Sequence, residues 1–263
     1  DVYYSGASRN LLRSTLSAGP VGVGDALGGI NAANLAKSVR PDGVIVKPDA
    51  PLTPTDPSYI NGASSGSRPM VAATYVDHGD LRAAYVFSFA QASALTNSSF
   101  IPNQLGISGD AYVYDFFNST GAVVAANQAF NFTTTMPAND ANGSYFVVVP
   151  VGPSGIAFLG DTNKFVTLGK KRISTMADAG VLKVTAAFAA GETNLTLTGY
   201  APSAPYIGAL NGAFGAMNYD PTTHLFSVSL APDGSNTATL AVSLSPLPYL
   251  QITNLNGNMQ IFW

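Results

Sequence analysis

The sequence predicts a mainly β protein: an antiparallel β-sandwich preceded by a short α/β segment. Three observations carry that expectation. Charged residues make up only 10% of the 263-residue chain, against about 25% in ordinary soluble domains. Their place is taken by Gly, Ser, Thr, Asn and Pro, which suit strands and turns better than exposed helices. From residue 70 onward, short apolar or alternating runs follow one another with turn formers between them. Before about residue 65 the apolar spacing is helical instead.

Ala7 to Ser17 places Leu11, Leu12 and Leu16 on one stripe, a short helix ended by Gly19-Pro20. Pro20 to Gly24 reads as a short buried strand with Asp25 just past its end. Asn31 is a helix N-cap, and the helix it opens carries Leu35 and Val39 on one face. Pro41-Asp42-Gly43 is a turn before the extended run Val44-Ile45-Val46. Pro48, Pro51, Pro54 and Pro57 then punctuate a stiff, non-helical linker, and Ile60 to Ser67 is a flexible connection.

Twelve strands are expected beyond it. They are Met70–Val76, Leu81–Phe89, Ala111–Phe117, Ala129–Thr134, Tyr145–Val151, Ile156–Leu159, Phe165–Leu168, Val181–Phe188, Thr193–Thr198, Leu225–Leu230, Thr237–Leu244 and Tyr249–Ile252. So many short strands without a helix among them argue for two packed sheets. Residues 1–64 form the α/β segment and linker, and 65–263 the sandwich. The strands after about residue 200 read equally as part of that sandwich or as a second small β unit.

Composition also excludes. The net charge is -3, and the one basic run, Lys170-Lys171-Arg172, is too short to neutralise a line of phosphates, so nucleic acid is not an expected partner. That run reads as a solvated turn or strand edge. The chain has no cysteine, which removes disulfides and thiolate chemistry. No apolar stretch approaches the 18 residues of a membrane-spanning helix. The chain opens Asp1-Val2-Tyr3-Tyr4 without a basic n-region, so either a leader has been removed or a longer polypeptide precedes it. Five N-x-S/T triplets begin at Asn97, Asn118, Asn131, Asn142 and Asn194, the candidate glycosylation sites of a secreted, extracellular or cell-surface protein. Chance alone supplies several such triplets in a chain this rich in Asn, Ser and Thr.

Chemistry-bearing motifs are sparse. His78 and His224 are the only histidines, neither has a metal-ligand partner at useful spacing, and no G-x-S-x-G elbow is present. No metal or cofactor is therefore expected. Gly19 to Asp25 is Gly-rich but lacks the Lys of a P-loop and the dinucleotide spacing. It reads better as a strand whose small residues permit close packing, with Asp25 pointing at the mouth of a cleft. The alternative for Asp25 is a helix or turn cap. Asp42, Asp49 and Asp56 sit in Pro-rich turns and read as turn formers.

Tyr4-Ser5-Gly6-Ala7-Ser8-Arg9, Gly19-Pro20-Val21-Gly22-Val23-Gly24-Asp25 and Arg40-Pro41-Asp42-Gly43-Val44-Ile45-Val46-Lys47-Pro48 together resemble the end of a (β/α)8 barrel in the glycoside hydrolases of the α-galactosidase and raffinose-synthase clan. In that clan the last barrel strand and its helix precede a C-terminal antiparallel β-sandwich. Ala111 to Phe117 and Gly155 to Asp161 also look like strands of such a sandwich. The resemblance implies that Asp25 contacts substrate and that no catalytic residue lies in this chain, because the clan's two catalytic carboxylates come from earlier barrel strands.

The expected function is thus the non-catalytic C-terminal portion of a secreted glycoside hydrolase-like protein, bracing a barrel and edging a sugar cleft. Its partners would be the barrel portion, or further copies of the chain, and carbohydrate. The alternative is a structural or filament-forming extracellular glycoprotein without enzymatic activity. A third reading, a carbohydrate-binding module, would need Tyr112, Tyr114, Phe116 and Phe117 exposed on one sheet face, where strand alternation favours core.

Overall fold

The computed structural model describes residues 2–60, 69–90, 95–135, 143–247, 251–255 and 258–262. The N-terminal part runs β1 (Val2–Tyr3), α1 (Ser8–Leu16), β2 (Gly22–Val23), α2 (Ala32–Leu35), β3 (Thr53–Pro54) and α3 (Asp56–Ile60). β1 and β2 pair in parallel around the crossover helix α1. As the spacing predicts, α1 buries Leu11, Leu12 and Leu16. Asn31 caps α2, its Oδ1 accepting the Asn34 N–H at 3.0 Å. That helix stops after one turn, and Val39 instead forms an isolated bridge with Ile45.

Two expectations for this segment are corrected. The strand near residue 22 is exposed along its length, because no layer covers it among the described residues. The Pro-rich stretch is not a free linker. β3 adds to the edge of a sheet beside β4 (Met70–His78), and α3 follows at once. Proline's fixed φ and missing donor are tolerated in an edge strand and in a first helical turn. The expected flexible connection falls mostly at 61–67, outside the described residues.

The remaining strands are β5 (Leu81–Phe89), β6 (Leu95–Phe100), β7 (Ala111–Asp115), β8 (Thr120–Val124), β9 (Phe130–Thr135), β10 (Ser144–Pro150), β11 (Ala157–Gly160) and β12 (Ile173–Asp178). After them come β13 (Leu182–Ala187), β14 (Leu195–Tyr200), β15 (Tyr206–Asn211), β16 (Ala213–Asp220), β17 (Leu225–Ala231), β18 (Thr237–Ser243), β19 (Gln251–Leu255) and β20 (Asn258–Phe262). The chain is mainly β with antiparallel sheets, as its composition predicts.

One six-stranded sheet has the order β3-β4-β5-β10-β7-β8. Its central strands are buried on both faces, which is why Ala83 to Phe87 and Tyr145 to Val149 read as continuous apolar runs. On one face Phe146 meets Phe100, Phe130 and Phe132 of the two-stranded β6–β9 sheet, with ring centroids 4.8–5.8 Å apart. On the other, Tyr85, Phe87, Tyr145 and Val147 join the main core, which also takes in α1 and both later sheets.

Those later sheets have the orders β11-β14-β17-β16 and β12-β13-β18-β15. Strict alternation in β14 and β13 turns Leu195, Leu197, Leu182 and Val184 inward. β14 lies before residue 200 and its partner β17 after it, so strands from both sides of that position share a sheet. At Gly160 the register of β11 shifts, with φ +81 and no room for a Cβ, which would sit 2.4 Å from the Thr167 carbonyl oxygen. Phe165 to Leu168, expected as a strand, is a fully buried turn. Its backbone groups bond to distant partners: the Phe165 N–H to Lys37 O at 2.8 Å, and the Leu168 N–H to the Tyr85 hydroxyl at 3.0 Å. The strand expected at Tyr249–Ile252 begins outside the described residues, and β19 covers only its end.

Candidate functional site

The end of the β1–β2 pair holds the only site residue that the sequence singles out for substrate contact. The Gly24 N–H donates to Tyr3 O at 2.7 Å, so the chain leaves β2 beside Tyr3 and turns through Asp25. Asp25 Oδ2 accepts the Ser5 N–H at 2.8 Å. Ser5 is buried and central: its Oγ accepts the Asn31 N–H at 2.6 Å, and its carbonyl accepts from Asn34 Nδ2 at 3.1 Å. Burial, and then the Asp25 charge, push the Tyr3 phenol above its usual range.

Asp25 is therefore a loop-capping carboxylate as well as a strand-end one. Capping the Ser5 N–H fixes the carboxylate at the strand end, in keeping with the turn-cap reading of this residue. Loops past the carboxyl ends of parallel strands are where α/β folds place ligands. Around this loop Tyr4, Val23, Leu27 and Ile30 are all exposed.

The other sequence-selected residues are scattered. His78 Nε2 lies 2.8 Å from Leu168 O, and burial lowers its pKa below the ordinary histidine value. His224 sits at φ 56 in a turn, its Nδ1 2.8 Å from the Tyr219 hydroxyl. Asp42 is a turn former that pairs with Arg40 and accepts from the Val44 N–H at 3.3 Å. Asp49 does more than form a turn: its Oδ2 accepts from the Asp77 N–H at 2.9 Å and from Lys170 Nζ at 2.7 Å. Asp56 starts α3. Asn97, Asn118, Asn131 and Asn194 are exposed, while Asn142 lies outside the described residues.

The aromatic run does not make a binding face. Tyr112 is 1% exposed and stacks on Tyr200 at 4.6 Å, and its phenol is pushed up to about 12, first by burial. Tyr114 is buried as well. Phe116 and Phe117 pack on Tyr145, and the Arg9 guanidinium lies 3.2 Å above the Phe117 ring. Tyr112 and Tyr114 share the inner face of β7 because they are two residues apart.

The basic run is the clearest correction. Lys170 and Lys171 are exposed, but Arg172 is 1% exposed. Its Nη1 and Nη2 hold Glu192 at 2.7 and 3.0 Å, and Nη1 also donates to Ala187 O at 3.0 Å. Its Nε lies 3.1 Å from Asp161 Oδ2, an ion-pair contact without hydrogen-bond alignment. Burial raises the Asp161 pKa and lowers that of Lys164. Lys164 Nζ in turn donates to Ala36 O at 2.6 Å, which ties this polar cluster to the end of α2.

Sequence reasoning also missed a cleft of about 800 Å³ beside α3, lined by Tyr75, Arg82, Asn103 and Gln104 among others. Its residues come from four separate stretches, so no local motif announces it. Among the described residues no group of three or more His, Asp or Glu side chains is placed to hold a metal ion. No helix among them is long and apolar enough to cross a membrane. No protein-family model matches the chain, and no curated protein matches it.

Proposed function

We propose that this chain works as the non-catalytic C-terminal portion of a secreted glycoside hydrolase-like protein, bracing a barrel and edging its sugar cleft with Asp25. One observation carries the reading. The parallel pair β1–β2 has no further strand on either side among the described residues, and it exposes Tyr4, Val23, Leu27 and Ile30. Parallel strands are normally covered on both faces and paired at both edges. A layer left open in this way is completed by more protein, and further barrel strands are what its β1–α1–β2–α2 order fits.

In that assembly the two catalytic carboxylates come from the barrel portion. Hydrolysis or transfer of an α-linked sugar, by a retaining route, belongs to the whole protein and not to this chain. Asp25 then has a positioning or substrate-contacting part, at a strand end facing the cleft. The exposed sequon asparagines accord with passage through a secretory route.

The test is the intact mass of the natural polypeptide, read with its co-purifying chains. The expected result is a polypeptide longer than this 27.1 kDa chain, or a tight companion that supplies barrel strands. A mature species of 27.1 kDa plus glycans, monomeric and without a companion, overturns the proposal.

A second reading, a self-assembling structural glycoprotein, draws on another feature. β15 and β16 are the end strands of their sheets, and they expose Tyr206, Leu210 and Phe214. Open edges with apolar side chains invite pairing between copies. Under this reading the purified chain gives concentration-dependent oligomers in size-exclusion chromatography, and Leu210→Lys removes them.

A further inference from the structure

We propose that the cleft between α3, the β4–β5 hairpin and the β6 corner binds a neutral oligosaccharide. The cleft lies apart from Asp25 and belongs to this chain alone, so its occupancy does not depend on the proposed barrel. At about 800 Å³ it falls within the roughly 300–1,000 Å³ range of small-molecule sites.

Its centre is a preassembled cation. The Arg82 guanidinium lies 4.2 Å from the Tyr75 ring centroid, and its Nη2 donates to Asp77 Oδ2 at 2.6 Å. Residue 106, a glycine, adds to the room around it. Gly106 has φ +79, and a Cβ there would come within 2.6 Å of Arg82 Nη1. Stacking and ion pairing hold the guanidinium still, while its side chain remains 34% exposed. Asp77 holds Nη2, and the exposed part of the guanidinium is what a ligand in the cleft would meet.

The rest of the lining selects the ligand class. Asn103 and Gln104 project amides from the 3-10 turn Pro102–Leu105, and both residues are exposed. Thr53, Thr55 and Ser99 add hydroxyls, and Pro54, Ile60, Phe100 and Leu105 supply apolar wall. Among the described residues Arg82 and Asp56 are the charged members of the lining, and Asp77 pairs with Arg82. The described charges thus give a phosphate or carboxylate ligand no net positive field. The Asn103 amide is held by Asn127 Oδ1, and a purely apolar ligand would leave the exposed Gln104 amide without a partner on it.

An extended peptide would pair with the outer edge of β3, but Pro54 removes a donor there. A polyhydroxylated ring with apolar faces satisfies both the amide side and the apolar wall, and its oxygens can accept from Arg82.

Isothermal titration of the intact chain against neutral hexasaccharides tests this, with α-glucan, β-glucan, galactan and mannan series as probes. At least one should bind with a Kd below about 1 mM. Arg82→Ala and Gln104→Ala should each weaken it by about tenfold, the scale of one lost hydrogen bond at a binding site. Gln104 is exposed, so that variant keeps its fold if Arg82→Ala does not. Asn218→Ala, exposed on β16, serves as a control and should leave affinity unchanged. The proposal is overturned if none of the probes binds, if affinity survives both cleft substitutions, or if a sulfated or uronic acid oligosaccharide or an extended peptide binds more tightly than every neutral one.

Discussion

The two later sheets and the N-terminal β1–α1–β2 unit treat their apolar side chains in opposite ways. In β14 and β17 of those sheets alternation is complete: Leu195, Leu197, Phe226 and Val228 face inward, and the residues between them are solvated or half-buried. The N-terminal unit buries only the α1 stripe and Tyr3 and leaves Val23, Leu27 and Ile30 exposed. Beyond the α1 stripe's place in the main core, its ties to the sandwich are polar: Lys164 to Ala36 O and the Phe165 N–H to Lys37 O. One region is stabilised by its own core. The other shares the sandwich's core through α1 and keeps exposed apolar side chains, the surface on which the proposed docking rests.

Those ties can be broken from the sandwich side. Arg172→Ala leaves Asp161 buried without its nearest cation and unpairs Glu192. Removing one member of a buried ion cluster costs about 3–5 kcal/mol. The expected outcome is a fall of that size in urea-derived stability. The N-terminal unit should also gain protease sensitivity first, because Lys164 belongs to the same cluster. Loss of stability with the N-terminal unit as protected as before would mean that the cluster serves the sandwich alone.

Tyr85→Phe is a milder cut at the same junction. The Tyr85 hydroxyl accepts the buried Leu168 N–H at 3.0 Å, and an orphaned buried donor costs about 1–3 kcal/mol. A shift in denaturation midpoint within that range, with an unchanged m-value, is expected.

Acid should weaken the junction through His78. Burial lowers the His78 pKa below the unfolded value, so the unfolded chain takes up the proton first as pH falls. Stability contributed at this site is therefore full above the ordinary histidine pKa of about 6.5 and declines as pH drops through the folded value. His78→Gln keeps a donor for Leu168 O and removes the titration. Its stability should lose slope in this window relative to the parent, and an identical slope would assign the acid sensitivity elsewhere.

What the sequence revealed follows the reach of each interaction. α1, the Asn31 cap and the alternating strands β13, β14, β17 and β18 depend on neighbours within a few residues, and they were legible. Polar or Gly-rich edge strands were not: β8 (Thr-Gly-Ala-Val-Val) and β16 (Ala-Phe-Gly-Ala-Met-Asn-Tyr-Asp) are mostly exposed and carry little periodicity. Arg172 was hidden for another reason. In a run with two exposed lysines nothing local distinguishes it, and its partners Asp161 and Glu192 lie 11 and 20 residues away. The same holds for the cleft, where Arg82 meets Gly106 only through the fold. The end position of Asp25 was readable from its Gly-rich strand, whereas its grip on Ser5, 20 residues back, was not.

The smallest effect on stability is the sharpest test of the comparison. Leu27 is fully exposed in this chain, so Leu27→Asp should change the stability of the isolated chain by no more than about 0.5 kcal/mol, as surface substitutions do. If the exposed patch is a docking face, the same substitution buries a charge once the companion is bound, and association should weaken by at least tenfold, about 1.4 kcal/mol. Co-purification from the natural source, parent against variant, reads that difference. Unchanged association would return Leu27 to the ordinary scatter of exposed apolar residues. A large loss of stability in the isolated chain would show instead that the patch is already covered, and the contrast between the two regions would disappear.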